Sequence, residues 1–107
     1  MRVLLIYSEP LDNEPIGLMY IGTILEKGGY TVKIIGTPRY NPEKKLLKEV
    51  IRYKPKVIGL SITTPFADKA QNIARLIKNN FPEITIIAGG PHPTILPYAT
   101  LKEGNID

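Results

Sequence analysis

Arg2-Val3-Leu4-Leu5-Ile6-Tyr7, near the amino end of a 107-residue chain, is apolar on consecutive residues rather than alternate ones. A strand with one face in water alternates. A strand covered on both faces runs apolar without a break, as the inner strands of a parallel sheet do. The run is followed by polar residues 8–15, which carry Pro10 and Pro15 and therefore read as a loop. A buried parallel strand needs a crossover to reach its neighbour, so a helix is expected next.

Working outward, helix and strand signals alternate. Residues 16–27 place Leu18, Ile21, Ile24 and Leu25 at helical spacing, and Gly28-Gly29 supplies the stop. Residues 31–35 form a short, mostly β-branched strand. After a loop, Pro42 suits the first turn of a helix to Tyr53, with Asn41 as its expected N-cap and Leu46, Leu47, Val50 and Ile51 as its apolar stripe. Residues 56–62 read as the third strand, and residues 66–80 as a helix with Ala70, Ile73, Ala74 and Ile77 toward the core. Residues 84–88 read as the fourth strand, and residues 94–102 as a last helix. This order predicts an α/β fold, a flavodoxin-like (Rossmann-like) doubly wound parallel sheet with right-handed crossovers. The chain stops at Gly104-Asn-Ile-Asp107, where another strand is due. The expectation is one domain over residues 1–107, with four strands present and a fifth missing at the carboxyl end.

Composition narrows the function classes. The net charge of +4 comes from lysines scattered along helical faces, not from a stripe with stacking aromatics, so no nucleic-acid partner is expected. There is no cysteine, which excludes disulfides, thiolate metal sites, a cysteine nucleophile and an iron–sulfur cluster within this chain. The expected setting is cytoplasmic. Residues 3–7 are too short a run for a membrane span, so no membrane partner is expected.

Three segments lie between a predicted strand and a predicted helix: Asp12-Asn13-Glu14-Pro15-Ile16-Gly17, Ser61-Ile62-Thr63-Thr64, and Gly89-Gly90-Pro91-His92-Pro93-Thr94. In an open parallel sheet such positions gather at the carboxyl ends of the strands, where ligands bind. The first can bring helix amides close to an anionic group such as phosphate, or serve as an ordinary connection. The second offers the hydroxyls of Ser61 and Thr63 to a ligand, or caps the third helix through Thr63 or Thr64. Gly89-Gly90 directly after a buried strand implies unusual dihedrals, a ligand pressed on backbone, or close helix–strand packing. His92 is the sole histidine.

The intervals join these segments. Residues 18–60 separate Gly17 from Ser61, and residues 64–88 separate Thr63 from Gly89. In this register the chain resembles the cobalamin-binding fold of B12 enzymes, which carries Asp-x-His-x-x-Gly, then Ser-x-Thr or Ser-x-Leu, then Gly-Gly. Here the pattern reads Asp12-x-Glu14-x-x-Gly17, Ser61-x-Thr63 and Gly89-Gly90, across nearly the whole chain. Glu14 stands where that family has its cobalt-ligating histidine, and a carboxylate is a poorer cobalt partner than imidazole.

The stretch Glu14-Pro-Ile-Gly-Leu-Met-Tyr-Ile-Gly-Thr-Ile-Leu-Glu-Lys-Gly-Gly-Tyr-Thr-Val32 is similar to the amino-terminal cobalamin-binding domain of B12-dependent radical SAM proteins, a group often without the histidine. Val57-Ile-Gly-Leu-Ser-Ile-Thr-Thr-Pro65 and Ala88-Gly-Gly-Pro-His-Pro-Thr-Ile-Leu-Pro97 resemble its next two blocks. The resemblance implies cobalamin as cofactor, held base-off without a histidine ligand. It implies a downstream radical SAM domain as partner, with a 4Fe-4S cluster and S-adenosylmethionine outside this chain. Such enzymes methylate unactivated carbon or phosphorus, and some relatives cyclise tetrapyrroles. By the same resemblance, Ser61 would hydrogen-bond the nucleotide tail and Gly89 and Gly90 would clear space for it. Residues 15–17 would lie beneath the corrin, Glu14 near the lower cobalt face, and Asp12, Thr63, Thr64, Pro91 and His92 around the cofactor. No residue is expected to ligate a metal, and the domain alone is expected to bind without turnover.

Other classes remain open at this point. A phosphoacceptor receiver shares the plan but needs a carboxylate ending the third strand, where this chain has Leu60-Ser61-Ile62-Thr63. A flavodoxin needs a Ser/Thr/Gly-rich phosphate loop after the first strand, which residues 8–15 lack. A stand-alone binding or interaction module without catalysis is the remaining alternative.

Overall fold

Four strands, β1 (Arg2–Tyr7), β2 (Thr31–Gly36), β3 (Val57–Ser61) and β4 (Thr85–Gly89), pair in parallel in the order β2-β1-β3-β4. They alternate in sequence with α1 (Ile16–Lys27), α2 (Pro42–Tyr53) and α3 (Ala67–Asn80). The structure is a computed structural model that describes residues 1–8, 16–62 and 67–89. The helix expected at residues 94–102 and the start of the third helix at Phe66 lie outside the described residues.

The sheet separates two apolar layers because successive side chains on a strand point to opposite faces. On one face Leu4, Ile6, Ile58, Leu60 and Ile86 pack with Leu46 and Val50 of α2 and with Ala70, Ile73, Ala74 and Ile77 of α3. On the other, Val3 and Leu5 pack with Leu18 of α1, supported by Leu25, Val32, Ile34 and Val57. Helices on both faces of a parallel sheet make this the doubly wound α/β architecture that the alternation predicts. The first run, Val3 to Ile6, is buried throughout, as a central strand requires.

Boundaries shift by a residue where hydrogen bonds decide. β4 begins at Thr85 rather than at residue 84, because the Ile84 amide donates to the Phe81 carbonyl (3.1 Å) and closes a turn. Lys56 and Ile62 flank β3 and each donates one amide to a neighbouring strand, to Arg2 and Gly89 respectively. α1 ends in a Schellman motif: Tyr30 N–H bonds Leu25 C=O (3.1 Å), Gly29 N–H bonds Glu26 C=O (3.0 Å), and Gly29 takes φ 94°. Asn41 is a correction to the sequence reading. It precedes α2, but in a left-handed conformation (φ 50°) and without a side-chain cap bond.

α2 is fixed to the β2 edge by charge. Glu49, 19% exposed, accepts from Lys33 Nζ (2.9 Å) and from Arg52 Nη2 (2.7 Å). The Lys33 bond holds its carboxyl below the ordinary range, against a smaller opposing effect of burial, and Arg52 adds to the lowering. A depressed folded pKa contributes stability above the unfolded carboxylate value, about 4.3, and loses it as pH falls through the folded value. Glu49→Gln is therefore expected to cost up to about 1 kcal/mol at neutral pH. In urea titrations its difference from wild type should close as pH drops below about 4.

Candidate functional site

The sheet face under α1 is only half covered by that helix. α1 lies against β1 and β2 at Gly22: a Cβ there would sit in ordinary contact with Ile34 Cδ1 at 3.4 Å, Val32 Cγ1 at 3.6 Å and Leu5 Cδ1 at 3.9 Å. With the helix drawn to that side, the same face of β3 and β4 borders a channel of about 550 Å³. This is within the usual size of small-molecule sites. One wall is the α1 stripe Gly17, Leu18, Ile21 and Leu25.

The strand register orders the floor into rungs. At the carboxyl edge, Tyr7 pairs with Ser61 and Ser61 with Gly89. The next rung on this face is Leu5, Gly59 and Ile87, and the deepest is Val3 and Val57, with the exposed Thr85 in register beside Val57 but not among the residues that line the channel. Beyond it, Met1 and Tyr30 line the amino-terminal end. From Val57 to Ser61 the channel follows β3 for about 13 Å at ~3.3 Å per residue. Among the described lining side chains, only Ser61 and Tyr30 bear oxygen, one near each end.

Glycines shape the space in two ways. At Gly59 a Cβ would lie 2.7 Å from Leu5 Cδ2, so the glycine lets Leu5 lie flat against the sheet and keeps the channel open above it. Among the described residues, a Cβ at Gly17 or Gly89 would meet nothing within 4 Å. Neither has a positive φ, which among the described glycines belongs to Gly29. Packing among the described residues and backbone conformation therefore leave both glycines unexplained. Both border the mouth of the channel, where a glycine suits backbone-to-ligand contact.

Of the residues singled out in the sequence, Gly17, Ser61 and Gly89 come together on this channel, one from each of the three segments. Ile16 opens α1 beside them. Asp12, Glu14, Pro15, Thr63, Thr64, Gly90, Pro91 and His92 lie outside the described residues. The walls at Leu5, Ile21, Gly59 and Ile87 were not anticipated. Gly59 was the available signal, since an isolated glycine within a strand marks close approach. Ile21, read as a core position, is 47% exposed along the channel wall, and Ile24 is 54% exposed.

Among the described residues, the groups with displaced proton affinity are Glu49 and Tyr53, whose phenol is pushed up by burial against the nearby charges of Arg2 and Lys33. Neither lines the channel. Among the described residues no three His, Cys, Asp or Glu side chains are grouped to hold a metal ion, and no helix is long and apolar enough to cross a membrane.

Comparison with known proteins bears on what enters this channel. The family model described as B12 binding domain matches residues 2–107. The chain is 31% identical over 119 aligned positions to the cytidylyl-2-hydroxyethylphosphonate methyltransferase of Streptomyces wedmorensis, covering 92% of the chain and 22% of that enzyme. It is 30% identical over 91 positions to the anaerobic magnesium-protoporphyrin IX monomethyl ester cyclase of Rubrivivax gelatinosus, covering 83% of the chain and 16% of the cyclase. It is 29% identical over 90 positions to an uncharacterized methyltransferase of Pyrococcus horikoshii, covering 83% of the chain and 19% of that protein. The chain thus spans about a fifth of the length of these relatives. In fold it matches a cobalamin-binding protein of Desulfitobacterium hafniense, with a TM-score of 0.75 at 20% identity, over 99% of this chain and 50% of that one.

Proposed function

The chain belongs to the B12-binding domain family, and from that premise we propose that its channel receives the nucleotide tail of cobalamin while the corrin rests over the carboxyl edge of the sheet. One observation carries this reading: an apolar channel of about 550 Å³ is lined by two glycines at which a side chain would meet nothing among the described residues. A planar apolar group on a flexible tether fits such a channel, and the polar corrin amides do not. The residues present therefore fit the cofactor. Bound cobalamin would supply cobalt-centred methyl-transfer or radical chemistry.

The chain's own residues bind and orient. Ser61 places a hydroxyl at the mouth, where it would hydrogen-bond the tail, and Gly17 and Gly89 would let the tail pass. Asp12, Glu14, Pro15 and Ile16 are assigned to the turn under the corrin. Thr63, Thr64, Gly90, Pro91 and His92 are assigned to its rim. With Glu14 in place of a histidine, the cofactor would be held base-off without an imidazole from this turn.

The parent protein would be a B12-dependent radical SAM enzyme, a methyltransferase or a tetrapyrrole cyclase-like enzyme. The printed activities of the relatives support this extension. The iron–sulfur cluster and S-adenosylmethionine would belong to a separate domain, and residues 1–107 would bind without turning over.

Hydroxocobalamin mixed with the purified chain is expected to stay with it through desalting, near one equivalent, with a base-off spectrum. Colour that elutes entirely with the small molecules would refute the reading. His92→Ala is expected to keep that spectrum, and its loss there alone would make His92 the cobalt ligand. Downstream sequence with a Cys-x-x-x-Cys-x-x-Cys motif is expected. A reading frame without it would favour a stand-alone binding module.

A further inference from the structure

Resting on the tail-in-channel reading, we infer that the channel selects among cobamides by the polarity of the lower base, taking an apolar benzimidazole and rejecting a purine. The argument starts from the backbone. β1 lies between β2 and β3, and β3 lies between β1 and β4, so these two floor strands have their amides and carbonyls engaged on either side, while β4, the third, is paired along one side among the described residues. Along β1 and β3 the floor offers no free main-chain hydrogen bond.

Side chains offer none either. Between Ser61 at the mouth and Tyr30 at the far end, the described lining residues Leu5, Ile21, Leu25, Val57 and Ile87 are hydrocarbon. A benzimidazole carries one unsubstituted ring nitrogen and otherwise presents apolar edges. A purine such as adenine carries several ring nitrogens and an amino group. Each polar group moved from water to this wall goes unpartnered, and burying an unpartnered polar group is costly.

The test compares three probes on the full chain by equilibrium dialysis read at the corrin absorbance: cobalamin, adeninylcobamide, and cobinamide, which lacks the nucleotide. Cobalamin is expected to bind at least about tenfold more tightly than adeninylcobamide, the least that one unpartnered polar group would impose. Cobinamide is expected to be weaker than cobalamin. Val57→Thr keeps the shape of the wall and adds a hydroxyl, and should narrow the cobalamin preference about threefold or more. Tyr40→Phe, at an exposed residue that does not line the channel, should leave it unchanged.

Equal binding of cobalamin and adeninylcobamide would overturn selection by polarity while leaving cobalamin binding intact. Equal binding of cobinamide would show that the base contributes nothing in the channel. An unchanged preference in Val57→Thr, or a lost one in Tyr40→Phe, would also overturn the inference. Binding of none of the three would remove the cofactor reading itself.

Discussion

Gly89→Val is expected to weaken cobalamin binding by about 10- to 100-fold, the range set by the cost of forcing extra volume into a fitted site. The folded state should be untouched. The position ends β4 opposite Ser61, a Cβ there meets nothing within 4 Å among the described residues, and its φ is not positive. Valine is also a better strand residue than glycine, so the melting temperature should stay level or rise. Gly29→Val is the contrasting control. Gly29 sits at φ 94° in the Schellman turn that closes α1, so a β-branched residue there strains the backbone and costs stability. Gly29 does not line the channel, so that variant should bind normally per folded molecule. Desalting retention and thermal melts on the two variants separate the effects. Normal cobalamin binding by Gly89→Val would move the mouth away from Gly89.

That contrast shows what the sequence could and could not carry. The unbroken Arg2–Tyr7 run specified a central strand, and the Gly28-Gly29 pair specified where α1 stops. Ala70, Ile73, Ala74 and Ile77 were legible as a core face because α3 is polar elsewhere and leaves one choice. α1 was less legible because it is apolar nearly all round. Its spacing marks Leu18, Ile21, Ile24 and Leu25 alike, yet Leu18 is buried while Ile21 and Ile24 are exposed. The difference depends on which side of α1 faces β1 and β2, where Gly22 lies against Ile34, Val32 and Leu5. Ile51 fails for a similar reason: α2 buries Leu46 and Val50, and Ile51 falls at the margin of the stripe.

The site divides along the same line. Three loops at one sheet edge could be inferred from alternation alone, and Gly17, Ser61 and Gly89 do meet on one channel. The channel walls could not be inferred that way. Leu5 and Ile87 read as ordinary strand hydrophobes, and only the pairing of β1 with β3 and of β3 with β4 puts them on one rung with Gly59. Register between strands distant in sequence is a tertiary property that period-two alternation within a strand does not contain.

Ile58→Ala should cost much of the domain's stability. Ile58 is fully buried within the cluster that joins β1, β3 and β4 to α2 and α3. Truncating a buried isoleucine to alanine costs about 2–5 kcal/mol, the lost transfer energy plus the cavity left behind. Small domains have only about 5–15 kcal/mol in total, so the loss takes a large share. With a urea slope of roughly 1–2 kcal/mol/M, the unfolding midpoint should fall by about 2 M. Binding should respond differently, because Ile58 points away from the channel that its neighbours Val57 and Gly59 line. The fraction that remains folded should bind cobalamin with the wild-type constant. Added cofactor should raise the midpoint of both proteins by the same free energy, since that gain depends only on ligand concentration and Kd. An unequal gain would mean that the two faces of β3 are coupled. The α2–α3 layer would then shape the channel as well as support the strand beneath it.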